Sequence, residues 1–236
     1  MEMRRRNASR KKGVRVKFEI LDLEQGTKEW LDARRGRATA SNAKSIVTPT
    51  GKLSASADGY LRQLAREHIC DDPLAFAGNK ATEWGHFHEG NARMAFTEKT
   101  GLTVREVGFC QSLTHPVLGC SPDGLITIGD GNLIAGLEIK CPQVDTHVEY
   151  LLEGVLPKAY APQVHWSMAI TGLPVWYFIS YFPALNPLIV KVERDDYTDK
   201  IEAAAIEFAQ KYAIEAPKIW ERILPNAEHT HGANNH

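Results

Sequence analysis

The sequence predicts an α/β or α+β domain in which helices flank a central mixed β-sheet. Three observations carry that expectation. "LITIGDGNLIAGLEIK" reads as two apolar arms around a turn, "VWYFISYF" and "LIVKVER" are β-branched and aromatic, and helical patterns stand on both sides of these runs.

Taken in order, "GTKEWLDARRGRATASNAKSIV" suggests a short helix with Trp30 and Leu31 buried, a basic loop, and a second helix starting near Ser41. "TEWGHFHEGNARMAFTEKTG" is helical, with Trp84, His88, Ala92 and Ala95 near one stripe and Gly101 as its end. "KAYAPQVHWSMAITG" predicts a helix that Pro162 enters or kinks and Gly172 caps. "VWYFISYF" and "LIVKVER", joined through "PALNP", read as a strand pair, and Asp199 to Ile223 supplies a last long helix.

The 236 residues are 43% hydrophobic and 24% charged, with no repeat and no obvious linker, so one domain over 18–224 is expected. Residues 1–17 form a basic arm containing Arg4, Arg5, Arg6, Arg10, Lys11, Lys12, Arg15 and Lys17, and 225–236 form a polar tail. Both flanks read as disordered. The arm is a solubilising segment or a contact for phosphates, and it is kept out of the site. No apolar run approaches the roughly 20 residues of a membrane span, and no signal peptide opens the chain. Cys70, Cys110, Cys120 and Cys141 show no CxxC spacing, which suggests neither a zinc site nor a disulfide framework. A reduced cytoplasmic setting is expected. A formal net charge of -1 does not advertise a nucleic-acid partner.

The stretch "GCSPDGLITIGDGNLIAGLEIKCP" carries the chemistry. An Asp130-Gly131 two-residue loop favours a type I′ turn and sets Gly129 opposite Asn132. The same register sets Asp123 opposite Glu138. Lys140, two residues on, shares the Glu138 face, while Leu137 and Ile139 turn to a core. Two facing carboxylates repel, so positive charge belongs between them. Lys140 is one candidate and a divalent cation is the other, since hard oxygen ligands suit Mg²⁺. From these residues alone, a surface hairpin with a solvated charge cluster remains the alternative.

"SPDG" followed by "LEIKCP" resembles the PD-(D/E)xK nuclease core. The ordered set "EWLDARRGRATAS", "WGHFHEGNAR", "CSPDG", "LEIKCP", "YAPQVHWSMAITG" and "WYFISY" resembles the phage lambda exonuclease and YqaJ-type viral recombination nuclease family, over roughly Gln25 to Arg194. The resemblance implies a restriction-endonuclease-like core. It implies that Asp123 and Glu138 bind metal, that Lys140 is the catalytic lysine, and that Glu89 helps hold a second metal; on the residues themselves, the Ile139 backbone carbonyl beside Glu138 is a further candidate ligand. Gln163 matches a polar residue near the reacting phosphate. Arg34 and Ser41 match residues that hold the terminal 5′-phosphate, and Ser121 and Arg35 are grouped with them at the DNA. Arg35 and Arg37 depart from the more apolar family pattern there. Thr82 departs from the family pattern, which has an apolar side chain at that position to wedge the duplex open. His86 and His88, two apart on one helix, are read as stacking or surface residues, and Trp84 as packing in the core.

The implied activity is a Mg²⁺-dependent, processive 5′-to-3′ exonuclease on double-stranded DNA. It would use two ions, with Mn²⁺ as a possible substitute, release 5′-mononucleotides and leave 3′ single strands. The implied partners are duplex DNA ends, two further copies in a ring-shaped homotrimer and a single-strand annealing protein, in the cytoplasm of a bacterial host of a phage or prophage. The alternatives are a PD-(D/E)xK endonuclease of restriction or repair type, which would cut closed circles, and a DNA-binding module with a decayed site.

Overall fold

The computed structural model describes residues 18–70 and 80–224; the basic arm, the polar tail and the side chain of Thr82 lie outside them. The first half runs through β1 (Phe18–Leu21), α1 (Lys28–Arg34), a 3-10 turn (Ala40–Asn42) and α2 (Ala43–Ile46) to α3 (Ala57–Ile69) and α4 (Lys80–Thr100). β2 (Thr103–Arg105), β3 (Phe109–Ser112), β4 (Gly119–Cys120), β5 (Gly124–Ile128) and β6 (Asn132–Lys140) follow. The chain closes with α5 (Val144–Glu153), α6 (Ala161–Thr171), β7 (Val175–Ser180), β8 (Leu188–Glu193) and α7 (Asp196–Ile223).

The main sheet has five strands in the order β2-β5-β6-β7-β8. Only β6 and β7 pair in parallel, so the sheet is mixed as expected. Parallel neighbours need a crossover, and α5 and α6 provide it. β1, β3 and β4 form a small antiparallel sheet beside it.

Strand alternation divides the core. Leu137, Ile139, Ile126 and Ile179 pack under Ala92 and Phe96 of α4. The opposite face of the sheet, with Leu125 and Trp176, packs against Trp166 and Met168 of α6 and Phe208 of α7. α6 is buried continuously from Val164 to Thr171 because the sheet and α7 both cover it, so that even its polar His165, Ser167 and Thr171 lie inside. Gly136 marks how tightly this face is filled: a Cβ there would lie 2.3 Å from the Trp176 ring.

The hairpin reaches its register by another route than the one expected. Ile128 pairs with Asn132, so the loop is Gly129, Asp130 and Gly131, with both glycines at positive φ (55° and 88°). A bulge then absorbs one residue of β6, after which Gly124 faces Leu137. The expected two-residue turn would place them opposite each other too. Two glycines free to take positive φ let the turn start a residue early, and the bulge restores the alternation that the core requires.

Other expectations meet smaller corrections. α1 buries none of its residues fully, so Trp30 and Leu31 are half-buried. No helix starts at Ser41: it lies inside the 3-10 turn, and neither that turn nor α2 has a side-chain cap. The Trp84 stripe of α4 buries His88 and Ala92, then Phe96 where Ala95 was expected to continue it. α7 begins three residues before Asp199 because the Asp195 carboxylate accepts the Tyr197 and Thr198 N–H groups in a capping box. Pro162 does enter α6 in its first turn, and Gly172, at φ 70°, ends it. Among the described residues no helix is long and apolar enough to cross a membrane.

Candidate active site

The C-terminal end of β6 opens into a cleft of about 540 Å³. β6 supplies Glu138, Ile139 and Lys140, the loop before β5 supplies Ser121 and Asp123, α4 supplies Glu89, and α6 supplies Gln163. Arg34 from the end of α1 and Ser41 from the 3-10 turn line the same cleft. Of the residues expected at the site, Arg35 is the exception. Its guanidinium pairs with Asp32 at 2.7 Å and it does not line the cleft. Arg37 also turns elsewhere, donating to the Pro116 carbonyl at 3.1 Å and to that of Ala33.

At the carboxylate end, backbone geometry sets the positions. The Asp123 N–H donates to the Leu137 carbonyl at 3.1 Å, and its Oδ2 accepts the Ile139 N–H at 2.6 Å. Glu138 is 1% exposed, and its Oε1 accepts hydrogen bonds from Lys140 Nζ and Gln163 Nε2. The Lys140 ammonium also stands over the Tyr160 ring, 5.3 Å from its centroid. Glu89 Oε1 lies 3.3 Å from His86 Nδ1. Arg93, four residues on, pairs with Glu106 at 2.9 Å.

Burial dominates the electrostatics here. It pushes the Glu138 carboxyl up to about 7, with Lys140 opposing the shift and Asp123 reinforcing it. It raises Asp123 as well, against the pull of Lys140 and the Ile139 N–H. Glu89 rises through burial and then through the Asp123 charge. For Lys140 burial acts downward, but the Glu138 and Asp123 charges outweigh it and keep the ammonium protonated. Three carboxyl groups therefore crowd around Lys140, with Arg93 a weaker positive influence on Asp123 and Glu89, a setting that favours a further positive charge.

That donor set fits a hard divalent cation: Glu138 is a buried carboxylate, Asp123 a half-buried one, and Glu89 stands at the same cleft. Among the described residues no three His, Cys, Asp or Glu groups are already arranged around one ligand position. Glu138 Oε1 and Asp123 Oδ2 are instead turned to protein donors.

The arginine end is held by side chains. Arg34 donates to Ser121 Oγ at 2.7 Å and to Ser41 Oγ at 3.4 Å, and lies 4.3 Å from the Trp30 ring centroid. Trp30 Nε1 donates to the same Ser121 hydroxyl at 3.1 Å and to the Gly108 carbonyl at 3.0 Å. Burial lowers the Arg34 pKa. Its contacts are hydroxyls and an aromatic face, with no carboxylate partner among the described residues. Such a guanidinium keeps its charge available for an anion.

Three participants escaped the sequence reading. Trp30 precedes Arg34 by four residues, and that helical spacing was a usable signal for stacking. Tyr160 precedes Gln163 by three, which would set both on one side of a helix. Gln25 had no local signal: its amide donates to the carbonyls of Val107 (2.9 Å) and Pro122 (3.0 Å), far along the chain. His86 is exposed, and His88 is buried with its ring 4.2 Å from that of Trp84, which is itself half-buried against Phe182.

Two crystal structures of the alkaline exonuclease LHK-Exo from Laribacter hongkongensis, one in complex with dAMP, match with a TM-score of 0.70. The identity is 31%, over 83% of this chain and 97% of theirs. A phage-related exonuclease from Haemophilus somnus 129PT shares the fold, with a TM-score of 0.55 at 17% identity over 79% of this chain and 96% of its own. No curated protein matches. The YqaJ-like viral recombinase domain matches residues 29–174, a span that includes every residue expected at the site. The chain belongs to the YqaJ-like viral recombinase domain family.

Proposed function

We propose that the chain is a divalent-metal-dependent exonuclease that degrades one strand of duplex DNA from its 5′ end, with residues 18–224 as the nuclease domain. The observation that carries this reading is the pairing of two chemistries in one cleft. A wall of carboxylates stands with Lys140 at one end, and an arginine with no carboxylate partner among the described residues stands at the other. In hydrolysis of a phosphodiester next to a terminal phosphate, the first stabilises the reacting charge and the second positions the end. The relative LHK-Exo is named an alkaline exonuclease and has been crystallised with dAMP, a deoxynucleoside monophosphate of the class such a reaction releases.

Asp123, Glu138 and the Ile139 carbonyl would hold a Mg²⁺ ion, with Glu89 helping to hold a second. Bound there, the ion supplies Lewis-acid polarisation of the phosphate and lowers the pKa of an attacking water. Lys140, kept protonated by its carboxylate neighbours, orients that water and offsets charge on the phosphorus centre. Gln163 offers an amide to the same place. Arg34, Ser41 and Ser121 receive the terminal 5′-phosphate and thereby fix which bond lies against the carboxylates. The rest of the reading follows the family resemblance: a homotrimeric ring that keeps hold of the duplex, and a 3′ single strand handed to an annealing protein, inside a bacterial host. Mn²⁺ is the ion to try as a substitute.

The test compares linear duplexes bearing 5′-phosphate or 5′-hydroxyl ends with closed circles, with and without Mg²⁺. Mg²⁺-dependent release of mononucleotides from linear duplex, fastest from phosphorylated ends, is expected. Efficient cutting of closed circles would replace the exonuclease by an endonuclease.

A further inference from the structure

We propose that Tyr160 is a positioning residue, whose aromatic face holds the Lys140 ammonium in the cleft once the Glu138 carboxylate is engaged by a divalent cation. The inference rests on the roles given above to Glu138 and Lys140. In the structure the ammonium is bonded to Glu138 and stands 5.3 Å from the Tyr160 ring centroid. That distance is within the roughly 6 Å over which a ring face attracts a cation. A Glu138 that shares its charge with a divalent ion no longer fixes the lysine, and the ammonium then meets a like charge beside it. Lysine has a long, freely rotating stem and no planar fork to orient it. The ring is the contact that survives this change, because it carries no net charge for the ion to claim.

Tyr160 is held to present that face. Its N–H donates to the Pro157 carbonyl at 2.9 Å, and its own carbonyl accepts the Val164 N–H at 3.0 Å. Its ring stacks on Phe178 with centroids 5.4 Å apart, and meets the Tyr150 ring edge-on with centroids 6.3 Å apart. Phe178 is fully buried and sits in register with Glu138 across the parallel β6–β7 pair. The ring is thus fixed to the same strand pair that carries the carboxylate and the lysine, so a shift of the cleft walls moves all three together.

The test replaces Tyr160 in the full chain. Tyr160→Phe keeps the face and should stay within about twofold of the wild-type kcat. Tyr160→Leu should lose about three- to thirtyfold in kcat, the range for a cation–π contact, with KM for duplex ends little changed. Phenylalanine, 4-fluoro-, 3,5-difluoro- and 3,4,5-trifluorophenylalanine at this position progressively weaken the ring's negative face at nearly constant shape. A stepwise fall in kcat along this series is expected, and a merely space-filling ring would show none. A flat series, or wild-type kcat in Tyr160→Leu, overturns the proposal. Metal-free protein provides a readout independent of cleavage. The Lys140 side-chain methylene resonances, assigned by their loss in Lys140→Arg, should be shifted by the ring and return toward ordinary values in Tyr160→Leu. Unchanged resonances overturn the contact, whereas wild-type cleavage by Lys140→Ala overturns the roles on which the proposal rests.

Discussion

The two ends of the cleft are built by different means. The carboxylate end is made of sheet: Glu138 and Lys140 share a face of β6, and the Asp123 carboxylate is clamped to the Ile139 N–H. The arginine end is made of a seven-residue helix, a 3-10 turn and loops, joined by the Trp30 and Arg34 bonds to Ser121. One end is positioned by strand register and core packing, the other by a few side-chain hydrogen bonds. Damage at the first should be severe and tied to the packing of the sheet, and damage at the second graded and confined to substrate choice.

The largest effect expected is at the carboxylates. Asp123→Ala or Glu138→Ala should abolish Mg²⁺-dependent cleavage, with the circular dichroism spectrum and duplex binding largely kept. Near-normal turnover in either variant would remove the site from this end of the cleft. Lys140→Ala should lose about 10²–10⁴-fold in rate, the usual scale for a positioned proton-transfer or charge-stabilising group, yet still bind Mg²⁺ by calorimetry. Loss of Mg²⁺ affinity with the fold intact would make the lysine part of the metal site.

A smaller effect tests the link between packing and site. Gly136→Ala would force a Cβ to within 2.3 Å of the Trp176 ring, and should destabilise the fold by about 1–3 kcal/mol, read as a lower Tm. The strand that must shift carries Glu138 and Lys140, so kcat should fall as well. A lower Tm with unchanged kcat would show that the carboxylate end does not depend on this packing. The smallest effect is reserved for Arg35→Ala. Arg35 pairs with Asp32 and does not line the cleft, so neither cleavage rate nor end preference should change by more than about twofold, the scale of a surface ion pair.

The same contrast decides what could be read from the sequence. Period-two alternation placed Glu138 and Lys140 on one face and Leu137 and Ile139 on the other without any tertiary information. The turn was misjudged because Gly129 and Gly131 tolerate the same backbone region, and only the bulge shows which pairing the core selects. At the arginine end no periodicity operates. Arg34 and Ser121 meet across 87 positions of sequence, and only the family resemblance connected them. Neighbouring Arg34 and Arg35 diverge because successive helical residues point about 100° apart. Trp30, one turn before Arg34, shares its direction, and Arg35 turns back to Asp32. Ser41 was expected to cap a helix, yet it lies in a 3-10 turn, where its hydroxyl is 3.1 Å from Thr39 Oγ1 and 3.4 Å from Arg34.

The central claim is that one cleft both cleaves the strand and reads its end, and the most direct test is the initial rate on 5′-phosphate and 5′-hydroxyl linear duplexes for wild type and Arg34→Ala. A charge-assisted contact of about 1.5–3 kcal/mol predicts a ten- to hundredfold preference for the phosphate in wild type. Arg34→Ala should erase most of that preference while retaining more cleavage than Asp123→Ala. Equal rates on the two ends in wild type, or an undiminished preference in Arg34→Ala, would contradict the account.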